Sequence, residues 1–538
     1  MPALQISTPI TTSRPTVPVA KHAAAADDLW AEYRDTTDQH PNIPNVSFAG
    51  YAYGERPLPA ARTPTADVRQ CGAQGDGILD DTAAFEKAIL QAHGGDVAIP
   101  PGTYRLTRRL LLQESGTVLR GAGSASTTLH FDRSLSDLYG AHIHDRESKW
   151  AWSGGLLCIE PTMRAVPPPE FPVVGPADAG SHAVTVSPAT AARLSTMVGK
   201  PIAMRWSGGM DLVAEIFGHA SGRTVEWNRW VGLRQERLVW DWTNDIVSVT
   251  GQTVVLKKPL RLRITDARQV VFRPQAELQR IGVVGMRIEM PEHREQSHLR
   301  ELGFNAIAIH QAHHCWVADV VIHNADNGII LEGSTNTTLS HMTLTGMPMH
   351  HAFSFRSGAH DNLVEDFMVR TKVRHGLSAQ DLASGNVWHR GVMHHGTFDS
   401  HRGMPFDSVR TAIKIASDGI PGGSRNAGPF AGRRIVHWNI ELLPNTSSAG
   451  LSWIANPQQY ASGAIVGIYG TSTVAQMTTA VVPAAMPPGD KGTRTSRLGR
   501  TAEPDDLYEA QVKLRLETEA QAQDHLAPPV TAGNPDRP

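Results

Sequence analysis

Short alternations of apolar and polar residues, recurring at a nearly constant interval, run through the second half of the chain. The pairs Ile307/Ile309, Ile329/Leu331 and Phe353/Phe355, then Leu377, step by 22, 24 and 24 residues. A second series, Val320/Ile322, Met342/Leu344, Phe367/Val369 and Val392, steps by 22, 25 and 25. Residues two apart share one face of a strand. A fixed period of twenty-odd residues means that each unit buries its apolar face on the next rather than folding alone. Asn362 and Asn386, also 24 apart, fit an internal asparagine stack at a coil corner. Consecutive helices would not leave such short pairs. The pattern predicts an all-β chain wound as a parallel β-helix solenoid.

A different pattern stands at 66–123. Gly75-Asp76-Gly77 is turn chemistry. Asp80 or Asp81 then caps a helix whose Ala84, Phe85, Ala88, Ile89 and Ala92 recur at helical spacing, and Gly94-Gly95 stops it. Strands are predicted at Val97–Ile99, Tyr104–Leu112 and Thr117–Leu119, with a Pro100-Pro101-Gly102 turn between the first two. Gly72-Ala73-Gln74-Gly75-Asp76-Gly77, Asp80-Asp81-Thr82, Pro100-Pro101-Gly102-Thr103-Tyr104 and Leu119-Arg120-Gly121-Ala122-Gly123 together resemble the opening module of the pectate-lyase-like superfamily. The resemblance covers about a tenth of the chain. It implies a right-handed parallel β-helix with an N-terminal capping helix, and says little about reaction, since the same module heads lyases, hydrolases, epimerases and phage tailspikes. The position of Asp80 and Asp81 before a helix makes capping, not catalysis, the expected role.

Residues 1–62 read as a Pro- and Ala-rich arm with a short helix near Ala23–Arg34, and 63–485 as the β-helix. The rhythm breaks from about 165 to 262, where an inserted subdomain is expected, with a capped helix after Ser187 and a hairpin at Gly251. The insertion holds five of the 12 tryptophans, Trp206, Trp227, Trp230, Trp240 and Trp242. They either fill its small core or stack on sugar rings, and Trp230 is the candidate sugar contact. Residues 486–503 read as a polar linker, and 504–538 as a C-terminal helix that packs back on the solenoid, followed by a disordered tail.

The formal net charge of −2 argues against a nucleic-acid partner, and no apolar run approaches the length of a membrane span. The three cysteines, Cys71, Cys158 and Cys315, form no disulfide framework and are expected as buried packing residues. No signal peptide is evident, which leaves the cytoplasm or an export route not visible here.

Histidine changes the picture. Thirteen of the 25 lie between His310 and His401. In a solenoid, residues one coil apart are stacked neighbours about 4.8 Å apart. His351, His375 and His401, at spacings of 24 and 26, should therefore line one edge, with Arg374 and Arg402 beside them. Arg356, Lys372 and Arg390 are interleaved, and Arg370 with His394 and His395 sits one strand end away. Asp399, two residues from His401, can orient that imidazole or one on the next rung. Ser400 would face away from both, so a Ser-His-Asp triad is not expected. A groove lined by cations suits an acidic polysaccharide or oligosaccharide. Hydrolysis needs two flanking carboxylates, and the Asp motifs of polygalacturonases are absent together, leaving Asp381, Asp399 and Asp407 as candidates. β-Elimination needs a cation on the uronate carboxylate, a base and an acid. The expected function is a polysaccharide lyase with His375, Arg374, Asp399, His401 and Arg402 as catalytic group. His351, Arg356, Arg370, Lys372, Arg390, His394, His395 and Trp230 are the expected glycan contacts. A hydrolase, a transglycosidase, a uronate epimerase and a non-catalytic tailspike-like protein are the alternatives. The resemblance implies a divalent cation, calcium, as a candidate cofactor, yet no cage of clustered Asp and Glu is visible. An oligomer is compatible with all of these readings.

Overall fold

The computed structural model describes residues 28–144, 147–162, 168–217, 238–274, 278–416, 431–444, 462–470 and 492–526. Parallel strands stack rung on rung into a β-helix. In one sheet the order runs Leu110–Leu112, Leu157–Ile159, Asn305–His310, Asn327–Glu332, Met349–Arg356, Val373–Gln380 and Phe398–Arg402. The other, longer sheet includes Gly282–Glu289, Trp316–His323, Thr338–Thr345, Val409–Ile415, Ile435–Leu442 and Gly463–Gly470.

The apolar period is the cause of this register. Ile307, Ile329, Phe353 and Leu377 are register partners on successive rungs, all fully buried. In the second series Val320 pairs with Met342, and Leu344 with Val369. The series slips by one residue at its last step: Val392 pairs with Met368, and Met393 takes the buried place beside Val369. Residues of positive φ recur at one place in the longer sheet, Asp319 (50°), His341 (54°), Asp366 (51°), Arg390 (49°), Ala412 (52°) and Asn439 (51°), and bend every coil at the same point. The Asn362 amide donates to Asn386 Oδ1 at 3.0 Å, forming the expected asparagine stack.

The helix Thr82–Ala92 caps the first coils with Phe85 and Ala88 inward. Its aspartates act differently from the expected cap. Asp81 stands at the N-cap, but its carboxylate accepts from the amides of Gln74 and Gly75 (2.6 and 3.1 Å), bracing the glycine turn, while Asp80 accepts from Thr82 N at 3.0 Å. His93, with φ 46°, terminates the helix ahead of Gly94.

The insertion is a six-stranded antiparallel sheet with Pro201–Gly208 and Leu238–Thr250 at its centre. Its strand Gln269–Pro274 lies past residue 262, because it pairs with Pro201–Gly208. Trp206, Trp240 and Trp242 are buried in its core, so they present no face to a sugar. Trp227 and Trp230 lie outside the described residues. Residues 486–503, expected as linker, instead supply a further rung, Thr493–Ser496, parallel to Gly463–Gly470. The helix Leu507–Leu526 packs back with Leu507, Tyr508 and Gln511 buried, while Leu516 stays exposed. The expected disordered tail lies outside the described residues. Cys158 and Cys315 are buried with thiols pushed up to about 12 by desolvation, and Cys71 is half-buried; all three are free.

Candidate active site

The site grows from one register position. Asn305, Asn327, His351 and His375 are partners on four successive strands of the seven-stranded sheet. Asn327 donates its amide to Asn305 Oδ1 at 2.8 Å, and His351 Nδ1 lies 2.9 Å from Asn327 Oδ1. A buried asparagine ladder is thus continued by two imidazoles, whose rings stack with centroids 5.1 Å apart.

The next strand, Phe398–Arg402, adds the remaining groups. Ala379 pairs with Ser400 but Gln380 with Arg402, so His401 is the extra residue of a β-bulge. A bulge re-aims the side chain it carries. Here it brings the His401 ring to 4.4 Å from that of His375. Asp399 Oδ2 lies 2.9 Å from His401 Nδ1 and 3.1 Å from His375 Nδ1, and accepts from Ser378 Oγ at 3.1 Å. One carboxylate oxygen therefore orients imidazoles from two rungs. Ser400 takes no part in that triangle.

Two segments outside the periodic rungs close over it. Trp152, after the short helical turn Lys149–Ala151, lies with its ring 5.1 Å from His350 and 6.0 Å from His401. The Arg402 guanidinium stacks on that ring at 5.3 Å, and Arg356 donates to the Trp152 carbonyl while facing Glu332 at 3.5 Å. From the 291–304 loop, His298 Nε2 meets His350 Nε2 at 3.2 Å, and Glu301 lies 3.4 Å from His350 Nδ1.

Burial sets the charge states. Desolvation, reinforced by neighbouring cations, holds His350 and His351 well below the usual histidine range. His375 is also lowered by burial, with Asp399 pulling the other way. Burial and then Arg374 push His298 down to about 4, and burial pushes Glu301 up to about 7. Burial would raise the Asp399 carboxyl, but His375 and His401 outweigh it and keep it below the carboxylate range. A buried carboxylate thus lies beneath two imidazoles and accepts a hydrogen bond from that of His401.

The sequence family described as "Rhamnogalacturonase A/epimerase, pectate lyase-like" matches residues 65–149, the segment that builds the cap and first coils of this parallel β-helix. Over that stretch the chain is similar to the pectate-lyase-like proteins. A second family, described as a domain of unknown function (DUF4955), matches residues 373–526, from the His375 strand to the end of the last helix. Over 64 residues, 12% of the chain, it is 45% identical to the pre-neck appendage proteins of Bacillus phages PZA and phi29, of which that stretch is 7%. Among solved structures it is similar to the tailspike protein of Pseudomonas phage LKA1, with 13% identity, TM-score 0.42, and 76% of this chain and 72% of that one covered. It is also similar to the mannuronan C-5 epimerase A-module of Azotobacter vinelandii, with 12% identity, TM-score 0.29, and coverage of 76% and 89%. A family 28 exopolygalacturonase of Yersinia enterocolitica gives 11% identity, TM-score 0.31, and coverage of 82% and 79%.

Of the expected residues, the structure brings together His351, His375, Asp399, His401, Arg402 and, through Trp152, Arg356. Arg374, exposed on the His375 strand, is close enough for its charge to depress His298 and His350. Lys372 is exposed in the preceding turn. Arg370, with its Nε 2.9 Å from Met368 Sδ, and His394 and His395 are exposed at the ends of strands of the other sheet, away from this cluster. Arg390 is paired with Asp366 at 2.8 Å, Glu365 at 3.1 Å and Glu509 of the last helix. His298, His350, Glu301, Asn327 and Trp152 were not among the expected site residues. His350 and Asn327 carry the 24-residue signal, being one strand position and one coil from His351; His298, Glu301 and Trp152 carry none.

Proposed function

We propose that this protein is a carbohydrate-active enzyme that cleaves an acidic, uronate-containing glycan by β-elimination. The observation that carries the reading is the single buried carboxylate of Asp399 orienting His375 and His401, with Arg374 and Arg402 on the flanks. Arg374 and Arg402 grip the substrate carboxylate and make the neighbouring C5 proton acidic. His375 and His401 are the acid–base pair, and Asp399 fixes their tautomers. The exposed His298 is the ring a glycan meets first. Loss of the C5 proton and of the C4 oxygen leaves a C4=C5 double bond.

The arrangement gives hydrolysis less support. Asp407 is engaged by Arg434 at 2.6 and 2.5 Å on the side of the insertion, and Asp399 is committed to two histidines. That leaves no free facing pair among Asp381, Asp399 and Asp407.

The test is ultraviolet absorbance during incubation with a panel of uronate-containing glycans. The expected result is rising absorbance from an unsaturated uronate. Arg374→Ala and His401→Ala should lower kcat/KM by at least about 100-fold, the scale of a lost acid–base or charge-stabilising group. New reducing ends without absorbance would make it a hydrolase. Inverted uronate without cleavage would make it an epimerase, and glycan retention without any product a tailspike-like binding protein.

A further inference from the structure

The cluster contains ring nitrogens that nothing occupies. His351 Nε2 and both ring nitrogens of His375 are buried and make no hydrogen bond. Meanwhile the opposite nitrogens face oxygens: Asn327 Oδ1 at 2.9 Å from His351 Nδ1, and Asp399 Oδ2 at 3.1 and 2.9 Å from His375 and His401 Nδ1. The hydrogen-bonded Nδ1 of His351 and of His401 therefore carries the proton, while His351 Nε2 and His375 keep lone pairs that nothing occupies.

We propose that His351, His375 and His401 bind one transition-metal ion of the zinc class, with Asp399 and Asn327 as the outer groups that orient the three rings. One nitrogen from each ring lies within 4.8 Å of the other two. Zinc–nitrogen bonds of about 2.0–2.1 Å at a tetrahedral ion set nitrogens about 3.4 Å apart. Closing the present gap takes shifts of about an ångström at most, within reach of small ring rotations. A histidine that donates its far nitrogen to a carboxylate or amide oxygen while the near one faces an ion is the usual supporting arrangement for such metals. Calcium does not fit this set, since it takes six to eight oxygens. Three ring nitrogens with no fourth protein ligand in the set is the pattern of a reactive rather than a purely structural ion.

A second set, His298, His350 and His375, also lies within 4.8 Å. It shares His375, whose one free lone pair can serve only one ion. Its His298 is exposed, and His350 Nδ1 has only Glu301 at 3.4 Å, beyond hydrogen-bond distance to orient it well. The first set is better oriented.

The inference does not rest on the lyase reading and competes with its acid–base roles, since a ring that holds an ion and faces Asp399 has no nitrogen left to move a proton; metal binding is read without any glycan. The experiment uses the full chain with any affinity tag removed. Metal content is measured by plasma mass spectrometry, followed by Co²⁺ titration of the chelator-stripped protein, read by visible absorption and thermal unfolding. The expected result is one Co²⁺ per chain, displaced by Zn²⁺, with a raised Tm that Ca²⁺ and Mg²⁺ do not produce. His375→Ala and His401→Ala should lose the absorption band, and Asp399→Asn should weaken affinity roughly 10–100-fold while keeping it. His298→Ala and His130→Ala should bind as the parent does.

Failure of the parent protein to bind Co²⁺ or Zn²⁺ stoichiometrically would overturn the proposal. So would unchanged affinity in His375→Ala and His401→Ala, or loss in His298→Ala with retention in His401→Ala. The parent titration and its Ca²⁺ control decide the matter even if an alanine variant does not fold. Stoichiometric metal binding without unsaturated product from either the loaded or the metal-stripped protein would overturn the lyase reading alone.

Discussion

Asp399 and Asp361 show two uses of a buried carboxylate on this scaffold. Asp399 meets two imidazoles, whereas Asp361, fully buried, lies 2.6 Å from Lys258 Nζ and 2.7 Å from Arg261 of the insertion. Removing one partner of a buried ion pair strands the others. Asp361→Ala should therefore cost about 3–5 kcal/mol, seen as a lower denaturation midpoint in urea. Lys258 and Arg261 changed together with it to apolar residues should recover much of that loss. The Asp399–His401 pairing was legible because the two are separated by two positions, and His351 over His375 because a coil is 24 residues long. Trp152 and His298 were not, since they arrive from a turn and a loop that keep no register with the rungs. The carboxylate partners of Arg390 were not legible for a related reason: its sequence neighbourhood is cationic, but Glu365 and Asp366 come from the coil before and Glu509 from the last helix.

At the level of elements, the helix Leu507–Leu526 is held by a titratable contact. His389 Nδ1 lies 3.0 Å from Asp506 and Nε2 3.2 Å from Glu365. Burial opposes its charge, but the two carboxylates outweigh it and push it up to about 9. The folded state thus holds this proton more tightly than the unfolded chain, whose histidine titrates near 6.5. The stabilisation, on the order of 3 kcal/mol, is fully present below pH about 6.5 and is lost as pH rises through about 9. Asp506 and Glu365 are lowered in turn, so their share is present above the usual carboxylate range and lost in acid. Hydrogen exchange across 507–522 should be slowest between about pH 5 and 6.5, after correction for intrinsic rates, and His389→Gln should flatten the alkaline limb. The β-bulge at His401 is the element-scale feature the apolar period could not disclose, because one extra residue leaves the neighbouring rungs in phase.

Over the whole molecule, the periodic core was legible from side-chain spacing alone, and the insertion from its interruption. What the spacing did not contain is how the ends are tied. Residues 42–55 and the last helix are joined by Gln511, which accepts from Val46 N at 2.9 Å and donates to the Pro44 carbonyl at 3.0 Å. Tyr508 OH donates to the Ala49 carbonyl at 2.8 Å, and Arg515 donates to those of Ser47 and Tyr53. Together they cover Val409, Val436, Trp438 and Val466 of the rungs beneath. Deleting residues 504–538 should uncover that apolar strip, lowering Tm and increasing binding of a hydrophobic dye. Mechanically, the solenoid is a coil whose two leads are clasped together on its flank. A pull applied between residues 28 and 526 loads the clasp in shear before it reaches the coils holding the histidines. The first event in a force trace should be a small release of the arm and helix, with the rungs parting only afterwards at higher load.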